Sequence, residues 1–477
     1  MAARTDWLLL ASALMGQFLS GFGSRIFSVS LPTVANSLHA DILGISWAII
    51  AYQLAGISLS VVFGRLGDIH GRYAIYGTGF AVMALSSILC GMAPNVFLLV
   101  LFRLIQGVGA AMIASAARVL AIDAMPGGSE GRANGFMTMA FHSGLLLGPP
   151  VGGLVIDLLG WRWVFFLLAP LGVIGTILTL MRARGRPSVR GTPRASIDYV
   201  GAALLVALTV LLTLLLDRRS GDIIAHGRQG LLALAFAGLL VGFLLHERRT
   251  SDPIVNLSLF RIRMFTCSVL SLLIVATTTS VATFLLPFYL QDVLRFSPSL
   301  MGLMFLAAPI FTITLATTSG RLTDRLGPRI PASIGVVATG GAMVTGVLLR
   351  AHSHWLLPTV LIGLTGLGSG FFNTPNQTAI IGSVPREYRG FATGMVQTMF
   401  GTGSLLGISL AGALLSVAFR HFTGLPDASP SADHPVAFVS SMNAIYLVCV
   451  GLVCVALAAS FMRGGSRVEP ARPSQIL

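Results

Sequence analysis

The chain has 477 residues, of which 55% are hydrophobic and 10% charged, and its formal net charge is +14. Soluble domains carry roughly 25% charged residues, so this composition excludes a soluble fold and argues against cofactor-binding domains, zinc modules and secreted disulfide scaffolds. All 31 basic residues are arginine, set in short segments between apolar runs and not on one face of a domain. That pattern excludes a nucleic-acid surface and makes the charge a signal of membrane topology.

Fourteen apolar runs occur, at 7–31, 44–63, 73–93, 96–117, 133–158, 163–182, 198–216, 229–246, 264–290, 299–319, 331–349, 355–380, 390–419 and 439–462. Each is close to the roughly 20 residues that cross a bilayer. Only helices or closed barrels satisfy backbone polar groups in lipid, and runs without two-residue alternation read as helices. The expected fold is an all-α membrane protein with fourteen transmembrane helices. The first run follows a single arginine and lacks an A-x-A site, so it reads as a retained helix and not a removed signal. With both termini in the cytoplasm, 22 arginines fall inside and 7 outside, and Arg25 and Arg103 lie within spans. Positive loops face the cytoplasm, which selects this orientation. The four cysteines all lie in apolar runs and read as core residues, with no metal-ligand spacing and no expected disulfide.

In the first span Gln17, Ser20, Gly21, Ser24 and Ser28 recur every three or four residues. They form one small, polar face, the pattern of a helix lining a cavity. Arg25 lies beside that face, about 9 Å from the outer end of the span at 1.5 Å per residue. Arg103 is about 12 Å below the outer start of the fourth span, so both cations sit at similar depth. A mid-membrane arginine costs at least about 2.5–3.5 kcal/mol to insert. The functional reading is an electropositive cavity that attracts an anionic substrate. Snorkelling of Arg25 and pairing with backbone carbonyls compete with it.

Between spans 2 and 3 runs Gly64, Arg65, Leu66, Gly67, Asp68, Ile69, His70, Gly71, Arg72. Between spans 10 and 11, 256 residues later, runs Gly320, Arg321, Leu322, Thr323, Asp324, Arg325, Leu326, Gly327. Pro126, Arg132, Ala133 and Gly135 before span 5 recur as Pro385, Arg389, Ala392 and Gly394 before span 13. A module that recurs after eight spans implies two six-helix bundles with two inserted helices. The expected domains are 1–182, a basic linker with two helices at 183–262, and 263–477. Parallel halves around a midplane cavity are a transporter architecture. The glycines of the loop permit a tight turn, and Asp68, Arg72, Asp324 and Arg325 can form ion pairs that latch one conformation. A charged turn that only fixes topology is the competing role.

In span 5 Gly144, Gly148, Gly152 and Gly153 form a small-xxx-small face for close packing. Pro149 and Pro150 are expected to kink the helix. His142, ten residues into the same helix, is the remaining mid-span titratable group and a candidate for proton coupling. A hydrogen-bonded packing role competes. Tyr52, Gln53, Gln106, Asn376 and Gln377, with Thr277 to Ser280, Asn373 and Gln397, are further cavity candidates, each equally able to tie helices together.

Four segments in this order resemble the major facilitator superfamily, and within it the fourteen-helix drug:proton antiporter branch. The 64–72 loop resembles the superfamily's signature loop between helices 2 and 3. Arg103, Gln106, Gly107 and Gly109 resemble its helix 4 motif. Gly144 to Gly153 resembles the antiporter motif of helix 5, and Trp161, Arg162, Trp163 and Phe165 its start of helix 6. The resemblance implies alternating-access export of a hydrophobic or amphipathic small molecule, coupled to protons, by a monomer. One departure matters. Where family members carry a helix 1 acid this chain has Gly23, and Arg25 replaces a threonine. All 17 acids sort to loops or span ends. An organic-anion or metabolite carrier without carboxylate-based antiport is therefore the alternative. With no lysine the chain lacks a P-loop, and no His, Asp or Cys cluster lies within spans. No enzyme activity, cofactor, metal or nucleic-acid partner is expected.

Overall fold

The computed structural model describes residues 6–125, 130–183, 199–216, 223–250, 257–385, 388–425, 430 and 433–463. The side chain of Asp68 and most of the basic 183–196 stretch lie outside the described residues, as does Pro126. Chain order gives α1 (Trp7–Ser37), α2 (Ile42–His70), α3 (Arg72–Gly91), α4 (Val96–Asp123), α5 (Glu130–Leu159), α6 (Arg162–Phe166), α7 (Leu168–Ala183), α8 (Tyr199–Leu216) and α9 (Ile223–Arg249). Then follow α10 (Arg263–Phe288), α11 (Pro298–Met304), α12 (Ala307–Leu326), α13 (Arg329–Val347), α14 (Leu356–Gly382), α15 (Arg389–Thr423) and α16 (Pro435–Met462). No strand occurs among the described residues.

Thirteen helical segments are long and apolar enough to cross a membrane, with α6–α7 and α11–α12 each acting as one. The eighteen-residue α8 matches the expected seventh run and brings the number to fourteen. Local chemistry sets several of the ends. Asp6, Asp41 and Asn95 accept the Leu9, Gly44 and Leu98 amides, so α1, α2 and α4 begin on side-chain caps. Gly71 and Gly327 close α2 and α12 at φ 98° and 78°, where a side chain would be strained. Each donates its N–H four residues back, to Gly67 and Thr323 at 2.9 Å. The duplicated loop is thus one backbone device used twice. The α5 helix runs unbroken through Pro149 and Pro150.

The chain forms two compact units, Met1–Ala202 with Phe296–Leu303, and Ala203–Arg295 with Met304–Leu477. In the first, α1 packs on α5, α2 on α4, and α3 on α4 and α7. In the second, α10 packs on α15, α12 on α14, and α13 on α14 and α16. The same glycines hold both patterns. A Cβ on Gly79 would lie 3.1 Å from the Gly109 carbonyl, and one on Gly335 would lie 2.7 Å from that of Gly368. A Cβ on Gly144 would strike the Phe18 carbonyl, and one on Gly403 would lie 2.6 Å from the Leu273 carbonyl. Helices approach this closely only where side chains are absent.

Candidate functional site

Two polar zones of the first unit hold most of the candidates read from sequence. The first is sealed. Arg103 is 1% exposed, with its guanidinium carbon 4.4 Å from the Phe27 ring centroid and 4.3 Å from that of Tyr52. Its Nε donates to the Ala48 carbonyl at 3.0 Å and its Nη1 to Gln106 Oε1 at 2.7 Å. Gln106 Nε2 then donates to Ser87 Oγ at 2.7 Å, and Ser87 donates to the Met83 carbonyl. The chain of bonds joins α2, α4 and α3 around a cation held between two rings. A desolvated cation–π pair is worth about 2 kcal/mol. Arg103 sits level with Phe27, two residues beyond Arg25, which matches the similar depth expected of the two cations. No part of Arg103 is open to a cavity.

The second zone is half-buried and follows α1. Gln17, Ser20, Ser24, Arg25 and Ser28 all keep partial exposure. Two of the serines are used locally: Ser24 donates to the Gly21 carbonyl at 2.8 Å and Ser28 to the Ser24 carbonyl at 3.2 Å. Such back-bonding satisfies a hydroxyl within its own helix. Gly21 leaves the polar face altogether, since a Cβ there would strike the Phe141 carbonyl of α5. The seam continues with Gly144, Gly148 and Gly152, and a Cβ on Gly148 would lie 3.1 Å from the Cβ of Arg25. The seam therefore sets where the Arg25 side chain leaves α1.

His142 lies on α5, half-buried and edge-on to Phe141 at 5.7 Å. It has no hydrogen bond among the described residues. Gln53 is half-buried, with its Oε1 buried and unpartnered. Asp157, at the far end of α5, accepts the Ser299 N–H at 2.9 Å and the Ser299 hydroxyl.

Asn376 and Gln377 belong to the second unit and point apart. Asn376 is fully buried and donates to the Ser268 carbonyl at 3.2 Å, while Gln377 is exposed. Of the loop residues, Arg72 is half-buried and Asp324 and Arg325 are exposed, while a Cβ on Gly64 would meet nothing within 4 Å. Ser87, the Asp6–Arg182 ion pair and the buried Arg463 were not singled out from sequence. Asp6, Arg182 and Arg463 each sit at the edge of an apolar run, a sign of topology that does not show which of them is buried. No group of three or more His, Cys, Asp or Glu suited to a metal occurs among the described residues.

Known proteins place this geometry. A family profile described as Major Facilitator Superfamily matches residues 13–260 and 268–475. The riboflavin transporter RibZ of Clostridioides difficile is 26% identical over 96% of this chain and 98% of its own length. The multidrug resistance protein Stp of Mycobacterium tuberculosis is 29% identical over 87% and 76%. Among solved structures, a bacterial homologue of the human lysosomal transporter Spinster superposes with TM-score 0.70 at 14% identity, covering 97% of each chain. A peptide transporter bound to alafosfalin gives TM-score 0.67 at 14% identity over 96% of each chain.

Proposed function

Because the chain belongs to the major facilitator superfamily, and is a multi-pass membrane transport protein and not an enzyme, we propose that it exports a hydrophobic or amphipathic small molecule. It works by alternating access in the inner membrane, coupled to protons, as a monomer with both termini in the cytoplasm. The relatives named as multidrug proteins support export, and RibZ supports a polar, ring-bearing cargo. The domains are the bundles 1–182 and 263–477, joined by 183–262. The loops at 64–72 and 320–329 act as the latch, through Asp68, Arg72, Asp324 and Arg325.

One observation carries the substrate class. Arg25 is the partly exposed cation of the α1 polar face, whereas Arg103, the other membrane arginine of that unit, is 1% exposed. No acid stands mid-span to hold a cationic drug. The cargo is therefore an acidic or neutral amphipath, met by Arg25, Gln17 and Gln53. His142 is the titratable group left for proton coupling.

The test is flux into proteoliposomes over a panel of acidic, neutral and cationic amphipaths, riboflavin among them. Acidic and neutral compounds should be transported, and Arg25→Ala should weaken the acidic ones by about tenfold, as loss of one charged hydrogen bond implies. Transport confined to cationic compounds and unaffected by Arg25→Ala would refute the assignment. Transport unaffected by a protonophore would favour the carrier without proton coupling.

A further inference from the structure

The two units repeat closely enough that one difference between them stands out. In the first unit the end of α7 is tied to the start of α1. Arg182 Nε donates to the Asp6 carboxylate at 2.5 Å, and that carboxylate is buried. Packing contacts fix the matching positions in the second unit. Gly77 packs against Thr179, and Ser333, 256 residues after Gly77, hydrogen-bonds Ser460 at 2.9 Å. Thr179 thus matches Ser460, and Arg182 matches Arg463. Gly144 packs against Phe18 and Phe22 as Gly403 packs against Leu273 and Thr277, 255 residues on. By that offset Asp6 matches Arg261. The second unit keeps the arginine and lacks the acid.

Arg463 is nonetheless buried. It is 3% exposed, and its Nε, Nη1 and Nη2 are all buried without a hydrogen-bond partner. Its guanidinium carbon lies 5.8 Å from the Phe372 ring centroid. Asn376, one turn beyond Phe372 on α14, has an unpartnered buried Oδ1, and Ser268 on α10 an unpartnered buried Oγ. Burial lowers the Arg463 guanidinium to about 10, so it is charged at neutral pH. An unpaired buried charge is strongly unfavourable, and a guanidinium fork matches an oxyanion through paired N–H bonds. Arg261 and Arg263 are exposed at the start of α10, which packs on α16.

We propose that Arg463, at this corner of the second unit, binds an oxyanion that no described residue supplies. The ligand is a phosphate, carried by an anionic lipid headgroup or free in solution. Arg463 follows directly on the last residue of the apolar α16, at the depth where basic pockets between membrane helices meet headgroups. The site is built from second-unit residues and does not depend on what is transported.

The experiment titrates delipidated, full-length protein in neutral detergent with phosphatidylglycerol, with phosphatidylcholine of the same acyl chains, and with inorganic phosphate. Unfolding temperature and lipid retention in native mass spectrometry are read together. Phosphatidylglycerol should raise the unfolding temperature and be retained, and phosphatidylcholine should do neither. Arg463→Met, which removes a charge and keeps the bulk, should fold and should bind the anionic lipid at least about tenfold more weakly. Arg182→Met should keep the lipid response. An equal rise with inorganic phosphate, also lost in Arg463→Met, identifies the free anion as the ligand. Equal responses to the two lipids with none to phosphate, or a full response in Arg463→Met, would overturn the proposal.

Discussion

Gly144→Ala tests the seam on which the Arg25 geometry rests. A Cβ at Gly144 strikes the Phe18 carbonyl oxygen and lies 2.6 Å from the Phe22 amide nitrogen. Both are backbone atoms locked in the α1 ladder, so no rotamer change relieves the contact. The helices must part by several tenths of an ångström. Overpacking of this kind costs about 1–3 kcal/mol. Parting also weakens the contacts at Gly148 and Gly152, at about 0.1–0.2 kcal/mol per atom pair. Alanine gains up to about 1 kcal/mol of helix propensity over glycine, which offsets part of this. Gly56→Ala is the control, because a Cβ there meets nothing within 4 Å and the same propensity gain applies. The difference between the two variants therefore isolates the clash, and Gly144→Ala should be the less stable by about 1–3 kcal/mol. Unfolding midpoints in detergent measure it, with proteoliposome flux alongside. Gly403→Ala should repeat the loss in the second unit, against the Leu273 carbonyl. Equal midpoints for Gly144→Ala and Gly56→Ala would show that α1 and α5 do not meet at this glycine.

Arg103→Lys keeps the charge but cannot bridge the Ala48 carbonyl and Gln106 at once. It should lose about 1.5–3 kcal/mol of stability, the worth of one charged hydrogen bond, and leave the apparent affinity for acidic substrates unchanged per folded protein; a weaker affinity in the folded variant would show Arg103 reaching the cargo. His142→Gln should abolish transport driven by a pH gradient while leaving substrate binding in place, read as uptake under an imposed gradient beside equilibrium binding. Undiminished pH-driven uptake would remove His142 from the coupling step.

Hydropathy made most of the fold legible because it reports depth. Runs such as 96–117 and 163–182 became α4 and α6–α7 with shifts of a few residues, mostly where polar ends extend a helix past the apolar core. The duplicated loop was legible because a positive φ leaves few choices besides glycine, so Gly71 and Gly327 persist in both copies. Azimuth was harder to read. Gly21 counted with the polar face by spacing, yet it turns to α5, since a glycine in a polar stripe serves packing as readily as a cavity. Arg103 and Arg25 looked alike because both are cations at one depth. What separates them is the neighbours supplied by other helices: Phe27, Tyr52, Ala48 and Gln106 close around Arg103, and Gly148 lets Arg25 pass beside α5.

The same limit explains Arg463. A terminal arginine beside an apolar run is read as a topological charge, and 22 arginines share that reading. Its burial depends on how α10, α14 and α16 meet, and its missing partner shows only when the second unit is laid on the first, where Asp6 answers Arg182. A repeat of this kind constrains function as well as fold. Where both copies keep a feature, as with the loop glycines and the Gly144–Gly403 seams, it serves the shared mechanics of packing and movement. Where the copies part, as at Arg25, which the repeat matches to Ser280, and at Arg261 in place of an acid, the difference marks chemistry given to one half alone.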